Sequence, residues 1–479
     1  MTPGDMSIKK PGTRRAIAAG YGGQLRKCTY EPGTRLGRFE IESLSDAETA
    51  DFAERLHKPT ILGYSAVGAD LGDGSLEVIP TKAKSFIPLT PLEYIPSLRA
   101  IREGRPFAPV SVDFDVTDVC NENCIFCYTA EYRKARAHGL QQGSRLQSLS
   151  TDTVRDCLTA LRAQGTKHVR FVSGGEPLAY PQLPDVLRHC RDLGLTLTVY
   201  TNGTMLGGRA EVLAECADLV RVSVNAGSDA SRDALHRSVN PGQSYRRVIR
   251  AIGALNEERQ SRHREGVMTI GASFLVHETN SAELVEFVEA VASNVDFVTF
   301  QCVYGAEKSE LGDDEVQTIA AGIEAAVATR PDLDVYVGSR LKAVLARSGI
   351  RPEREAAAEW RYCFEAYTMP IVESNGSVKM CSAVRGRDDP GLEIGRSTDG
   401  HEIAALLLRH SQQKARYHVR DIMARYCRDC CSFTVNSTLD EIYKRLAGLR
   451  EEAFSLLYDV PPVHTNLFSN AHLLREGER

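Results

Sequence analysis

Cys120, Cys124 and Cys127 stand in the run Cys120-Asn121-Glu122-Asn123-Cys124-Ile125-Phe126-Cys127, a C-x3-C-x2-C spacing. Three thiolates can hold three irons of a cubic [4Fe–4S] cluster, whose usual protein complement is four. The fourth iron is then open to a small molecule, which suits a reactive cluster better than a structural one. Zinc favours four ligands arranged in pairs, and a tight triplet does not offer that. A second thiol-bearing region follows much later. Cys363 and Cys381 frame Gly376 as C-x12-G-x4-C, and Cys427-Arg428-Asp429-Cys430-Cys431 adds a C-x2-C pair with an adjacent thiol. Two separated cysteines and a pair make four ligands. Spacing alone leaves a second iron–sulfur cluster and a tetrahedral zinc site both open.

These groups need a scaffold, and the chain supplies strand–helix alternation from Val110 onward. Strands are expected over 111–117, 168–173, 195–201, 219–225, 267–276 and 296–302. Helical patterns lie between them, at Thr151–Gln164, Leu183–Leu193, Tyr245–Asn256 and Ala282–Ser293. That order implies parallel βαβ units, with functional groups gathered where the chain leaves each strand. The cysteine run, Ser173-Gly174-Gly175-Glu176-Pro177 and Thr201-Asn202-Gly203 all fall at such points. Two adjacent glycines permit close backbone approach. Ser223 and Asn225 alternate with apolar residues in Arg221-Val222-Ser223-Val224-Asn225-Ala226, so they share one strand face. Arg237 is a candidate for bidentate carboxylate pairing. Asn375-Gly376 predicts a hairpin turn between Ile371-Val372-Glu373 and Val378-Lys379-Met380.

The cysteine run, with Phe126 before its last thiol, resembles the signature of the radical S-adenosylmethionine (radical SAM) enzymes, and Gly174-Gly175-Glu176-Pro177 resembles their GGEP motif. The resemblance runs from about Val110 to Cys302 and continues in patches to Cys431. It implies a partial (β/α)6 barrel of the α/β class. It also implies a [4Fe–4S] cluster on Cys120, Cys124 and Cys127 whose open iron is chelated by the amine and carboxylate of S-adenosylmethionine (SAM). Gly174, Gly175 and Glu176 are then expected to hold the amine. Ser223, Asn225 and Arg237 would serve the ribose and carboxylate, and Phe126 with the sixth strand near Val298 to Gln301 would flank the adenine. Many members carry Asp-Gly where Asn225-Ala226 stands here, which weakens the assignment at 225. An external electron donor such as a flavodoxin or ferredoxin is implied as well.

Residues 360–435 resemble the auxiliary-cluster domain of the same enzymes in its shorter "twitch" form. The longer SPASM form continues with further cysteines, but Asn436 and Asp440 stand at those positions. One auxiliary [4Fe–4S] cluster is therefore expected, on Cys363, Cys381, Cys427 and Cys430, with Cys431 as the alternative to Cys430. Four thiolates leave no open iron, so electron transfer is its natural task. Twitch-bearing relatives include dehydrogenases of aminocyclitols and aminoglycosides. The expected function is hydrogen abstraction from a hydroxyl-bearing carbon of such a small molecule, with oxidation to a ketone. Radical diol dehydration and modification of a ribosomally made peptide are the alternatives. Glu122, Tyr128, Asn202, Tyr304 and Arg361 are candidate substrate contacts.

The bulk numbers agree with an enzyme of this kind. The 479 residues carry a formal net charge of −5, with 42% hydrophobic and 25% charged residues. That balance gives no support to a general nucleic-acid binder. No apolar run of about 18 residues marks a membrane span. The polar start, Met1 to Lys10, lacks a secretion signal, and 13 cysteines then point to a reducing cytoplasm and metal work. Cys28, Cys157, Cys190, Cys216 and Cys302 stand alone and read as small buried hydrophobes. The expected division is a flexible tail (1–25), a small α+β extension (26–107), the partial barrel (108–312), a helical connector (313–358), the auxiliary-cluster domain (359–436) and a C-terminal helix and tail (437–479).

Overall fold

The computed structural model describes residues 14–19, 25–30, 41–48, 65–70, 76–80, 91–127, 129–137, 147–172, 174–238, 241–265, 267–302, 312–330, 333–338, 341, 344–345, 362–387, 389, 391–411, 433–446, 448 and 454–459. Tyr128, Ser173, Tyr304, Arg361, Cys427, Cys430 and Cys431 lie outside them.

The first and last described strands meet in one antiparallel sheet. Its strands are β1 (Arg14–Ala19), β2 (Leu25–Tyr30), β3 (Ile41–Ser43), β4 (Ser65–Asp70), β5 (Leu76–Pro80) and β16 (Phe454–Asp459). The spatial order is β3-β2-β1-β16-β4-β5. The hairpin β1–β2 pairs Arg14 with Tyr30, and β4–β5 pairs Val67 with Ile79. The C-terminal strand sits between the two hairpins, with Ile17 opposite Tyr458 and Leu456 opposite Val67. Two expectations are corrected here. The segment read as a flexible tail contains β1, and the segment read as C-terminal helix and tail supplies a central strand of the N-terminal sheet. The C-terminal helix itself runs Phe433–Arg445, starting before Ser437.

The second sheet positions the chemistry. Seven strands follow in chain order and pair in parallel: β6 (Ser111–Phe114), β7 (His168–Phe171), β8 (Thr196–Thr201), β9 (Leu219–Ser223), β10 (Thr269–Val276), β11 (Phe297–Cys302) and β12 (Asp334–Val337). Six of them are the expected strands. β12 lies inside the stretch read as a helical connector, after the helix Asp313–Thr329. In this sequential parallel order the intervening helices pack on one face. Val112, Phe114, Val169, Phe171, Leu197, Val199, Val220, Val222, Ile270 and Phe274 are buried there with helix residues such as Leu158, Leu187 and Val288.

Alternation turns the intervening side chains to the opposite face, where polar groups on β6 to β9 stand beside a small apolar cluster of Leu219, Phe297 and Tyr336. Ser111 Oγ lies 2.7 Å from His168 Nδ1, and His168 Nε2 lies 2.9 Å from Thr198 Oγ1. Asp113 accepts a bidentate pair from Arg170 at 2.8 and 2.7 Å. The Arg221 guanidinium stacks on the Tyr200 ring at 3.7 Å, with Arg170 at 5.5 Å from the same ring. Barrels of parallel strands usually fill this space with branched apolar residues.

The sheet continues past β6. β13 (Ile371–Val372) pairs with β6 in parallel, placing Ile371 beside Asp113. β14 (Ser377–Lys379) and β15 (Glu393–Arg396) then add antiparallel. The expected Asn375-Gly376 hairpin joins β13 to β14. Gly376 has φ 77°, and a Cβ there would meet the Ser397 carbonyl oxygen at 1.8 Å, so a side chain is excluded. A second core holds this region to the helix before the barrel. Leu98 and Ile101 of the helix Ile95–Glu103 pack with Phe364, Tyr367, Met380, Leu439 and Ile442. The segment before the expected 107/108 boundary thus shares one apolar cluster with residues on both sides of the expected 436/437 boundary.

Candidate active site

The cysteine loop leaves β6 and is fastened at several strand ends. Gly175 N donates to the Thr117 carbonyl at 3.0 Å and Glu176 N to that of Val119 at 2.8 Å. Thr129 Oγ1 donates to the Gly174 carbonyl at 3.0 Å. A Cβ on Gly175 would meet the Val119 carbonyl oxygen at 2.1 Å. The second glycine is therefore required by the approach of this turn to the residue before Cys120. Asn121 and Asn202 bond at 2.9 Å, and Asn121 donates to Thr204 Oγ1 at 2.6 Å, tying the loop to the end of β8.

Glu176 is 2% exposed and faces the end of β8. It accepts from Leu178 N at 3.1 Å, Thr201 Oγ1 at 2.6 Å and Asn202 N at 2.7 Å. Burial nevertheless lifts its carboxyl to about 7, against these donors. Asp115 is also buried at the end of β6 and paired with Arg385 Nε at 2.5 Å. Arg385 follows β14, so this ion pair joins the parallel strands to the second thiol region. Beside it Lys379 pairs with Glu373 at 2.9 Å, both buried.

The helix Asp229–His236 carries groups that sequence reasoning passed over. Ser228 caps it, accepting from Ser231 N at 3.2 Å, and Glu283 accepts from Gly227 N and Ser228 Oγ at 2.7 Å each. Its far end backs the cysteine loop: Asn123 N donates to the His236 carbonyl at 3.1 Å and Ile125 N to that of Leu235 at 2.9 Å. Arg232 is fully buried. It donates to the Val224 carbonyl at 2.7 Å, the Asn202 carbonyl at 2.8 Å and Glu122 Oε1 at 3.1 Å. His236 Nδ1 lies 2.7 Å from Glu122 Oε2 and 3.4 Å from Cys124 Sγ. Phe126 meets the His236 ring edge-on at 5.3 Å.

The charges on this cluster are set by its partners. Burial opposes ionisation of Glu122, but His236 and Arg232 outweigh it and hold the carboxyl below its usual range. Burial and the Arg232 charge together lower His236 and keep it neutral. The Cys124 thiol is pushed well up by burial, then by Glu122 and the thiols of Cys127 and Cys120. Burial raises Cys120 too, against Arg133. Arg133 Nη2 is 3.5 Å from Cys127 Sγ. Donor atoms of Glu122, Cys124 and His236 lie within 4.8 Å of one another. The Glu122–His236 hydrogen bond already commits two of those three donors to each other.

The remaining expected site residues fall in different settings. Asn225, at φ 53°, turns the chain after β9; its Oδ1 accepts from Leu275 N at 2.9 Å and its Nδ2 faces His236 Nε2 at 3.3 Å. Ser223 is half-buried at the end of β9, and Arg237 is exposed on the turn after the helix. The buried guanidinium here belongs to Arg232, four residues before His236 on one helix face. That spacing was the available signal. In the second thiol region Cys363 and Cys381 share the apolar cluster of Tyr362, Phe364 and Met380. Asn436 is 2% exposed; it accepts from Glu365 N at 3.0 Å, and its Nδ2 is 3.9 Å from Cys363 Sγ.

Residues 114–291 match the family model described as the Radical SAM superfamily. The chain is 27% identical over 190 residues to a probable GTP 3′,8-cyclase of Halobacterium salinarum, covering 40% of this chain and 48% of that protein. It is 28% identical over 192 residues to an AdoMet-dependent heme synthase of Methanosarcina barkeri, covering 40% and 51%. It is 32% identical over 130 residues to a PqqA peptide cyclase of Streptomyces rochei, covering 27% and 33%. The chain spans about half the length of the first two relatives. The structure of Streptococcus suis SuiB bound to S-adenosylmethionine aligns with a TM-score of 0.46 at 14% identity, over 65% of this chain and 67% of that one. Among the described residues no helix is long and apolar enough to cross a membrane. With an α/β fold built on a parallel sheet, the chain carries a radical SAM domain over residues 114–291, and that domain implies a [4Fe–4S] cluster and SAM as cofactors.

Proposed function

We propose that this radical SAM enzyme abstracts hydrogen from a hydroxyl-bearing carbon of a small molecule, an aminoglycoside or related sugar, and oxidises that carbon to a ketone. The observation that carries the reading is the group of polar side chains on the sheet face opposite the packed helices. Asp113, Arg170, Tyr200, Arg221 and Ser223 occupy positions where an apolar filling is usual. Such a wall matches a substrate rich in hydroxyl and amino groups.

The residues present fit the implied cofactors. Three thiols lie on one loop, and burial keeps Cys120 and Cys124 protonated until a metal claims them. The glycine turn leaves no room for a side chain beside Val119. When bound, the cluster and SAM supply reductive cleavage of the sulfonium and hydrogen-atom abstraction. Cys120, Cys124 and Cys127 would hold the cluster. Gly174, Gly175 and Glu176 would receive the methionyl amine, Ser223 the ribose and Arg237 the carboxylate. The Asn225 side chain is committed to Leu275 and His236, so its contribution is the turn. Phe126 would border the adenine.

Oxidation to a ketone also requires an acceptor for a second electron. We assign that role to an auxiliary [4Fe–4S] cluster, which Cys363, Cys381, Cys427 and Cys430 would hold. Diol dehydration of the same substrate class needs no net electron loss and is the neighbouring outcome. The similarity to a peptide cyclase over 130 residues favours, as a second reading, action on a ribosomally made peptide. Incubation with deuterated aminoglycosides tests the choice. Deuterium in 5′-deoxyadenosine with a product short of two hydrogen atoms supports oxidation, and loss of water supports dehydration. Deuterium transfer from a co-encoded peptide alone would replace the small-molecule reading.

A further inference from the structure

Two hydrogen-bond donors fix which nitrogen of His236 carries its proton. Arg232 Nη1 lies 3.3 Å from His236 Nε2, and a guanidinium only donates. Asn225 Nδ2 lies 3.3 Å from the same nitrogen. The Asn225 amide orientation is set independently, because its Oδ1 accepts from Leu275 N. Nε2 must therefore accept, and the hydrogen resides on Nδ1. Nδ1 faces the Glu122 carboxylate at 2.7 Å and Cys124 Sγ at 3.4 Å. The ring cannot easily turn away. Phe126 abuts it edge-on, and the loop backbone is bonded to the helix at the His236 and Leu235 carbonyls.

We propose that His236 is a positioning residue that donates its Nδ1–H to the Cys124 sulfur and thereby raises the reduction potential of the SAM-binding cluster. Hydrogen bonds to cluster sulfurs stabilise the more negative, reduced state. Glu122 shares the same hydrogen and, with Arg232, holds the imidazole in place. The inference rests on the reading that Cys124 ligates the cluster.

The test uses the anaerobically reconstituted full chain, wild type, His236→Leu and His236→Asn, titrated electrochemically with detection by electron paramagnetic resonance. The signal that changes on adding SAM marks the cluster concerned. In His236→Leu its midpoint should move to a more negative potential, while His236→Asn, which keeps an N–H near the Nδ1 position, should lie closer to wild type. An unchanged midpoint in His236→Leu at full iron content and unchanged melting temperature overturns the inference. Should His236→Leu fail to hold the cluster, wild-type protein labelled with 15N-histidine decides the matter. Coupling of an imidazole nitrogen and an exchangeable proton to the reduced cluster supports the bond, and its absence overturns it. A wild-type protein with no SAM-responsive cluster signal would defeat the ligand reading itself, which is a separate failure.

Discussion

The two thiol regions differ in what packs directly around their described cysteines. Around Cys120, Cys124 and Cys127 the neighbouring polar groups are bonded to strand ends and to the helix Asp229–His236: Asn121 to Asn202, Glu122 to Arg232 and His236, Glu176 to Thr201. Among the described residues Cys363 and Cys381 instead join an apolar cluster, with Asn436 a polar side chain near Cys363. A site that must admit and orient a polar cofactor needs converging donors and acceptors. A site that only passes electrons needs thiolates and a dry, rigid surrounding. Asn436 there accepts a hydrogen bond from the Glu365 backbone amide.

The comparison breaks most sharply at Arg232. Replacing it with Met leaves Glu122 buried without its cation, and loss of one partner of a buried pair costs about 3–5 kcal/mol. We expect a large fall in the melting temperature of the apoprotein and loss of the first cluster. Retention of wild-type stability would show that the Glu122 network is dispensable. Gly175→Ala should come next. Its Cβ would drive into the Val119 carbonyl, so SAM affinity measured by calorimetry should fall at least tenfold, with the second thiol region unaffected.

Cys363→Ala addresses the other region. Iron in the reconstituted protein should drop from roughly eight to roughly four per chain, while 5′-deoxyadenosine formation persists and ketone formation fails. One bound zinc in the wild type, with iron confined to the first site, would replace the auxiliary cluster by a zinc centre.

The smallest effect expected concerns Glu176. Burial holds its carboxyl near 7, above the model-compound value of 4.5. The native state therefore keeps a proton that the unfolded chain releases. Its contribution to apoprotein stability is fully present below about pH 4.5 and is lost as pH rises toward 7. The ionised form is the one that pairs with an ammonium, so SAM affinity should strengthen between pH 6 and 8 by several-fold. Glu176→Gln should bind with a flatter pH profile. Equal slopes in the two proteins would show that Glu176 does not titrate against the amine.

Local features were legible in the sequence because their causes are local. The thiol spacing, the glycine turn and the Asn375-Gly376 hairpin each depend on residues a few positions apart. The six strands from Ser111 to Cys302 show as apolar runs because one face packs on helices. Three features escaped for the converse reason. β16 joins β1 across almost the whole chain, with Ile17 beside Tyr458, and no short-range pattern announces that pairing. β12 spans four residues after a long helix, too short to stand out from a connector. Arg232 and His236 read as ordinary helix charges, because Glu122 lies 110 positions from Arg232 in the chain. Asp113 and Asp115 carry a legible signal, since two carboxylates two positions apart on a buried segment must find cations, here Arg170 and Arg385.

Radical chemistry in this protein depends on the first thiol loop. The direct measurement is 5′-deoxyadenosine formed from SAM by the reduced, reconstituted protein and by its Cys120→Ala/Cys124→Ala/Cys127→Ala variant. The account predicts turnover in the wild type and none in the variant, which should still retain roughly four irons in its second region. Normal SAM cleavage by the triple variant would contradict it.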